Sequence, residues 1–139
     1  MDTVHGATVA IGGIGVLLRG PSGSGKSDLA LRLIDGGGVL VADDRCVLAA
    51  EDGRVVARAP AAIRGRIEVR GLGIVTVPVV EQAALALVVD LEDGPIERLP
   101  EPETIELLGI PVRRLRLAAF EASAPAKIRL ALQDSESRD

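Results

Sequence analysis

The chain has almost no aromatic residues: Phe120 is the only one, and Trp and Tyr are absent. Proteins hold single-stranded nucleic acid by stacking bases on aromatic rings, and they attract its phosphates with basic charge. This chain has a single such ring and carries a formal net charge of −4. We therefore expect no nucleic acid among its partners.

Cysteine is equally scarce, since Cys46 stands alone. A lone cysteine excludes an intramolecular disulfide and a cysteine-rich metal cluster, and it fits a reducing compartment. No apolar run approaches membrane-spanning length, and the first residues lack the basic and apolar regions of a signal peptide. We expect a cytoplasmic protein with no membrane partner. Its 139 residues suit one domain, 1–139.

The most informative motif is GxxxxGK[ST], which occupies residues 20–27 between a strand pattern and a helix pattern. Glycine lets the backbone curl so that its N–H groups converge on a phosphate, next to the positive end of a helix dipole. Lys26 is expected to reach the outer phosphates of ATP, and the Ser27 hydroxyl to join the coordination of Mg²⁺. A glycine-rich turn without a ligand is the alternative. The predicted nucleotide site comprises Gly20, Pro21, Ser22, Gly23, Ser24, Gly25, Lys26 and Ser27.

The segments around this motif form a compact pattern. Residues 8–11 and 14–18 predict a hairpin about a Gly-Gly pair. A helix is predicted from Ser27, and three glycines at 36–38 end it. The wholly apolar run at 39–42 predicts a strand in the middle of a sheet.

The remainder of the chain has mostly β patterns, with a helix at 126–133 and a polar tail from residue 134 that is expected to fray. We therefore expect an α/β fold with a mixed sheet around a phosphate loop, rather than a long alternation of strands and helices. Prolines and acidic residues make 92–103 an exposed connection. The predicted strands lie at 47–49, 54–57, 67–69, 74–79, 84–89 and 110–117.

An acidic pair, Asp43 and Asp44, follows the apolar run at the sheet edge where ligands bind in such folds. Capping of the following turn is the ordinary alternative, because Asp favours turns. Asp90 follows another apolar strand and is a rival for the metal-linked aspartate of P-loop enzymes. The residues alone leave these interpretations open.

Three segments accompany the loop in a fixed order: His5-Gly6, LVADDR at 40–45 and IEVRGLGI at 67–74. Together they resemble the catalytic domain of HPr kinase/phosphorylase, over residues 4–132. That resemblance implies a P-loop-containing mixed sheet of the HPr kinase C-terminal type. It also implies an ATP- and Mg²⁺-dependent kinase that phosphorylates a serine of the phosphocarrier protein HPr in the phosphotransferase system. A homo-oligomer is a further implication.

The resemblance also implies site residues. In it Asp44 accepts the serine proton, while His5 and Arg98 are active-site groups. Without the resemblance, His5 is a solvated residue near a chain end and Arg98 a surface ion-pairing residue in an acidic connection. The implied catalytic residues are Asp44, His5, Lys26 and Arg98, and the implied magnesium ligands are Ser27 and Glu68.

One segment departs from the family pattern. Residues 111–117 replace a Pro-Gly-Arg-Asn-like loop that the family associates with dephosphorylation, so the forward reaction is the main expectation. Two other functions use the same loop. A small P-loop kinase or NTPase with another acceptor would turn over ATP without HPr, and a non-catalytic nucleotide-sensing regulatory module would bind ATP without transfer.

Overall fold

The structure, a computed structural model, describes residues 2–136, so part of the polar tail predicted from residue 134 lies outside the described residues. No helix in this part of the chain is both long and apolar enough to cross a membrane. The helices are α1 (Lys26–Asp35) and α2 (Ala124–Glu136). The strands are β1 (Asp2–His5), β2 (Ala7–Ile11), β3 (Ile14–Arg19), β4 (Val39–Ala42), β5 (Arg45–Glu51), β6 (Arg54–Arg58), β7 (Arg66–Val69), β8 (Gly73–Thr76), β9 (Gln82–Leu91), β10 (Glu103–Leu107) and β11 (Ile110–Leu117).

Strand β9 is the centre of the main sheet. It pairs in parallel with β3 and β11, while β6 joins it antiparallel near its start. Among the described residues the sheet has nine strands in the order β1-β5-β6-β9-β3-β2-β4, and β11 and β10 extend it from β9. Parallel and antiparallel pairs therefore occur together, as the sequence predicts. Strands β7 and β8 form a separate two-stranded sheet.

Helix α1 forms where the glycine pattern predicts it. Gly25, with φ 98°, precedes its first turn, and Gly36 caps its last turn by donating its N–H to the Arg32 carbonyl over 3.2 Å. Its apolar face buries Leu29 and Leu33 completely. Each such leucine contributes roughly 1.5–3 kcal/mol by leaving water. The phosphate loop therefore ends on a helix that is fixed to the sheet.

The prediction that residues 39–42 lie in the middle of a sheet is wrong. Strand β4 ends the path, and within residues 2–136 the one strand that pairs with it along its length is β2. It is nevertheless buried, with Leu40 fully covered, because the segment after β8 crosses its open edge. There Val80 donates its N–H to the Leu40 carbonyl over 3.1 Å. An apolar sequence thus marks burial here rather than a central position.

The two faces of the sheet carry separate cores. On one face α1 and α2 pack against Val16, Leu18, Leu87 and Val89. The alternate residues Leu17 and Val88 point to the other face, where the buried side chains all come from strands within residues 2–136. In the part of the chain that the structure describes, helices therefore cover one face of the sheet.

Candidate active site

The phosphate loop has the curled backbone that its glycines predict. Gly23 and Gly25 have φ of 82° and 98°, in the left-handed region that strains other residues. Gly20 is required for a close approach, since a Cβ there would lie 2.5 Å from Ser24 Oγ. The Ser24 N–H closes the turn by donating to the Pro21 carbonyl over 3.0 Å. The loop is therefore a tight backbone concavity of the kind that binds anions.

The Lys26 ammonium lies over the loop rather than in solvent. Its Nζ donates to the carbonyl of Gly20 over 2.6 Å and to that of Pro21 over 3.2 Å. The charge is thus held beside the N-terminus of α1, where the helix dipole is also positive. Both features favour a phosphate at this position.

Asp43 is the carboxylate that contacts the phosphate-loop serine. Ser27 Oγ donates to Asp43 Oδ1 over 2.7 Å, and the Glu68 backbone N–H donates to Asp43 Oδ2 over 3.0 Å. Asp43 is only 7% exposed, and both bonds are partly buried. Asp43 thereby ties the end of β4 to the start of α1 and to β7. Asp43 was predicted as a functional residue only as a member of the Asp43-Asp44 pair, and its place after an apolar strand was the signal.

Asp44 has an unusual backbone and an open side chain. Its φ is 69°, a left-handed conformation that Asp adopts more readily than most residues but that still costs energy. The conformation turns the chain sharply between β4 and β5. Its side chain is 72% exposed, and the Arg45 guanidinium lies 3.9 Å away. The Asp44 carbonyl accepts the Gly6 N–H over 2.8 Å, so the His5-Gly6 segment holds this turn from the neighbouring strand.

A cavity of about 420 Å³ joins these parts. Most of the predicted site residues line it, Asp44 and Glu68 among them. The loop and α1 contribute Ser22, Gly23, Gly25, Lys26, Ser27, Asp28 and Leu31. The other lining residues are Asp44, Glu68, Val69, Arg70 and Phe120. Phe120 was not predicted as a site residue, because it lies far from the loop in sequence.

Of the residues that the structure describes, neither His5 nor Arg98 lines this cavity. His5 is exposed and pairs with Arg45 in the β1–β5 register, one residue from Asp44. Arg98 is exposed in the connection between β9 and β10. Their catalytic roles therefore stay predictions.

Asp90 belongs to a separate ion-pair cluster. Arg19 Nε lies 2.8 Å from its Oδ1, and Arg114 Nε lies 2.5 Å from its Oδ2. Burial alone would raise the pKa of Asp90, but the hydrogen bonds from Arg19 and Arg114 outweigh it and hold the pKa below its usual range. Two guanidinium groups thus occupy the rival aspartate, and it makes no bond to Ser27. The structure favours Asp43 as the partner of that serine.

The oxygen donors near Ser27 suit magnesium. Serine hydroxyl and carboxylate oxygens are hard ligands, and Mg²⁺ is commonly held by one or two carboxylates together with substrate phosphates. In residues 2–136 no group of three or more His, Cys, Asp or Glu side chains is arranged to hold a metal alone. Ser27 and Glu68, which line the cavity, and Asp43, which accepts the Ser27 hydroxyl, carry oxygen atoms of the type that Mg²⁺ binds together with a polyphosphate.

Fold and site together define the class of protein. It is a mixed α/β domain with a glycine-rich loop between a strand and a helix, and Asp44 and Glu68 line the same cavity as this loop. The family model described as the HPr Serine kinase C-terminal domain matches residues 1–128. The chain belongs to this family.

Individual relatives agree with the family match. The chain is 40% identical over 124 residues to an HPr kinase/phosphorylase of Clostridium beijerinckii, in a match that covers 81% of this chain and 41% of the relative. It is 39% identical over 128 residues to that of Burkholderia lata, covering 83% of this chain and 39% of the relative. The chain thus spans about two-fifths of the length of these relatives.

A solved structure also matches. The Hpr(Ser) kinase/phosphatase of Coxiella burnetii superposes with a TM-score of 0.86 at 29% sequence identity. That match covers 99% of this chain and 98% of the other. The predicted fold class, a mixed sheet of the HPr kinase C-terminal type, is confirmed.

Proposed function

We propose that this chain transfers the γ-phosphoryl group of ATP to a serine hydroxyl of the phosphocarrier protein HPr. One observation carries the proposal: the phosphate loop, Asp44 and Glu68 line the same cavity. The names of the relatives, HPr kinase/phosphorylase and Hpr(Ser) kinase/phosphatase, support the acceptor. The cytoplasm predicted from the lone Cys46 goes with this proposal, because ATP is available there.

In this proposal the loop amides and Lys26 hold the triphosphate, and Asp44 accepts the proton of the acceptor serine. The serine oxygen forms a bond to the γ-phosphorus as the bond from that phosphorus to the oxygen of ADP breaks. Positioning and charge stabilisation supply most of the rate in such transfers. Asp44 suits its role because its side chain is open to an incoming protein, whereas Asp43 is closed in by two hydrogen bonds.

Ser27, Glu68 and Asp43 are the residues that would hold Mg²⁺. When bound, the ion neutralises charge on the phosphate oxygens. The Ser27 hydroxyl donates its proton to Asp43, so the lone pairs of its oxygen stay free for a cation. His5 and Arg98 are proposed to assist on the strength of the resemblance alone. A catalytic arginine is worth about 10³–10⁵ in rate where it contacts the transferring group.

The test follows the label of γ-labelled ATP, with Mg²⁺, onto HPr and onto HPr with its acceptor serine replaced. We expect label on the first and none on the second. Asp44→Asn should lower the transfer rate by about 10²–10⁴, the range of general acid–base catalysis. Asp52→Asn is a matched control, because Asp52 is also exposed with a positive φ of 53° but lies outside the cavity lining among the described residues.

The other outcomes separate the alternative functions. Label that persists on the serine-replaced carrier would reject serine as the acceptor. ATP turnover without HPr would indicate a kinase or NTPase with another acceptor. Binding of ATP with neither turnover nor transfer would indicate a nucleotide-sensing module.

A further inference from the structure

Phe120 is an exposed apolar side chain at the active-site cavity. It is the only aromatic residue of the chain, it is 68% exposed, and it lines the cavity together with the phosphate loop. Packing within the domain therefore accounts for only part of its surface. An aromatic ring left open beside a polar site is a surface for a ligand with a flat apolar face.

The turn that carries Phe120 is held in place from α1. The Arg32 guanidinium donates to the carbonyl of Ala119 and, over 3.1 Å, to the carbonyl of Glu121, the two residues that flank the ring. Lys127 of α2 also pairs with the Glu121 carboxylate at 2.7 Å. Both helices thus hold the backbone of the turn that carries the ring.

The ring also lies against the phosphate loop itself. A Cβ built on Gly25 would lie 2.8 Å from Ala119 Cβ and 3.0 Å from Phe120 Cζ, so the turn closes directly on the last loop glycine. The acidic residues line the cavity from other elements, Asp44 after β4 and Glu68 on β7. The cavity therefore has an acidic part for chemistry and an aromatic part without a chemical role.

We infer that Phe120 is the platform on which the base of the nucleotide stacks. This inference rests on the proposed function, which places the triphosphate on the loop and leaves the base to be bound elsewhere in the cavity. Leu31, one turn along α1 from Ser27, is a second apolar side chain lining the cavity. Stacking tolerates any base, so the site distinguishes nucleotides from bare polyphosphates rather than one base from another.

The test compares two ligands, Mg²⁺–ATP and Mg²⁺–tripolyphosphate, by titration calorimetry on the whole chain. Tripolyphosphate occupies the loop but has no base. Phe120→Ala should weaken ATP binding roughly tenfold to a hundredfold, the range of aromatic–base stacking, and leave tripolyphosphate binding unchanged. Phe120→Trp should restore ATP binding. Leu130→Ala is the matched control, because Leu130 is an apolar side chain 62% exposed on α2, and it should change neither affinity.

Two further measurements separate stacking from a structural role. The chain has no Trp or Tyr, so in Phe120→Trp all indole fluorescence reports on this position. That fluorescence should change on saturation with ATP and stay constant with tripolyphosphate. The double variant Arg32→Ala/Phe120→Ala should lose less ATP affinity than the two single variants lose in sum, because both residues act through the same turn.

Equal losses for the two ligands in Phe120→Ala would overturn the inference and make the turn a support for the loop. If Phe120→Ala left the ATP affinity unchanged but lowered the rate of transfer to HPr, the inference would be overturned, and Phe120 would be a contact for the carrier protein. If the wild-type protein bound tripolyphosphate as tightly as ATP, base stacking would be refuted, while phosphate binding by the loop would still be supported. Wild-type protein that binds neither ligand would reject the proposed function itself.

Discussion

Replacement of Asp43 tests the central contact of the site. Its carboxylate accepts a 2.7 Å bond from Ser27 Oγ and a 3.0 Å bond from the Glu68 N–H. A hydrogen bond to a charged group is worth about 1.5–3 kcal/mol, which sets an upper range of roughly 3–6 kcal/mol for the pair. Since Ser27 is half-buried and water can replace part of its bond, we expect Asp43→Ala to lower the free energy of unfolding by about 3 kcal/mol.

Asp43→Asn separates stability from chemistry. The amide can still accept the Glu68 N–H and donate to Ser27, so we expect a loss of only about 1–2 kcal/mol. The Ser27 hydroxyl then accepts a bond through the lone pair that a cation would need, so a higher Mg²⁺ concentration should be required for half-maximal transfer. Asp44→Asn is the control for stability, because the Asp44 side chain is 72% exposed. The free energy of unfolding of this variant should stay within about 0.5 kcal/mol of the wild-type value. Urea denaturation of Asp43→Ala within 0.5 kcal/mol of wild type would refute the reasoning.

Three further predictions concern residues around the site. Gly6→Ala places a Cβ 2.7 Å from the Leu18 carbonyl oxygen, so urea denaturation should show about 1–3 kcal/mol of destabilisation. Phosphoryl transfer should also slow, because the turn at Asp44 shifts with Gly6. Unchanged stability and transfer would contradict the close packing at Gly6. Burial raises the pKa of Cys46 to about 11, so at pH 8 a thiol reagent should modify the folded protein roughly a hundredfold more slowly than the urea-unfolded chain; equal rates would show that the thiol is accessible. Because the pKa of Asp90 is lower in the folded chain than the value of about 3.9 in the unfolded chain, the ionised carboxylate stabilises the fold above that pH. This stabilisation is lost as the pH falls through the folded-state pKa, so Asp90→Asn should flatten the acid side of the curve of unfolding free energy against pH. Parallel curves for the variant and the wild type would exclude this contribution.

Much of the local structure could be predicted from the sequence because its signals are contiguous. The β2–β3 hairpin and helix α1 form where adjacent glycines and apolar spacing indicate them. Strands β1 and β10 could not be predicted in this way, because both are short edge strands without a fully buried side chain. The ion pairs of Glu103 with Arg114 and Arg116 help hold β10 on its neighbour, and such cross-strand partners leave no pattern within the strand itself.

In the site, too, the contiguous parts could be predicted from the sequence and the contacts between distant segments could not. The phosphate loop is one continuous segment, so its residue types and order are enough to predict its conformation. The bond from Ser27 to Asp43 forms only once β4 has packed beside β2 and α1, and the sequence shows two adjacent aspartates without saying which one turns inward. Phe120 reaches Gly25 only through the turn between β11 and α2. Contacts of this kind depend on tertiary packing.

The two candidate aspartates show why an apolar strand followed by Asp is not enough to locate a metal-linked carboxylate. Asp90 ends β9, the parallel neighbour of the strand that leads into the loop, and its register partner is Arg19. The arginine at that register position, together with Arg114, uses both carboxylate oxygens. Asp43 ends an edge strand that is antiparallel to its neighbour, yet only Asp43 faces Ser27. The bonding partners of each aspartate, two arginines for Asp90 and the loop serine for Asp43, distinguish the carboxylate that serves the loop, whereas the type of strand that precedes it does not.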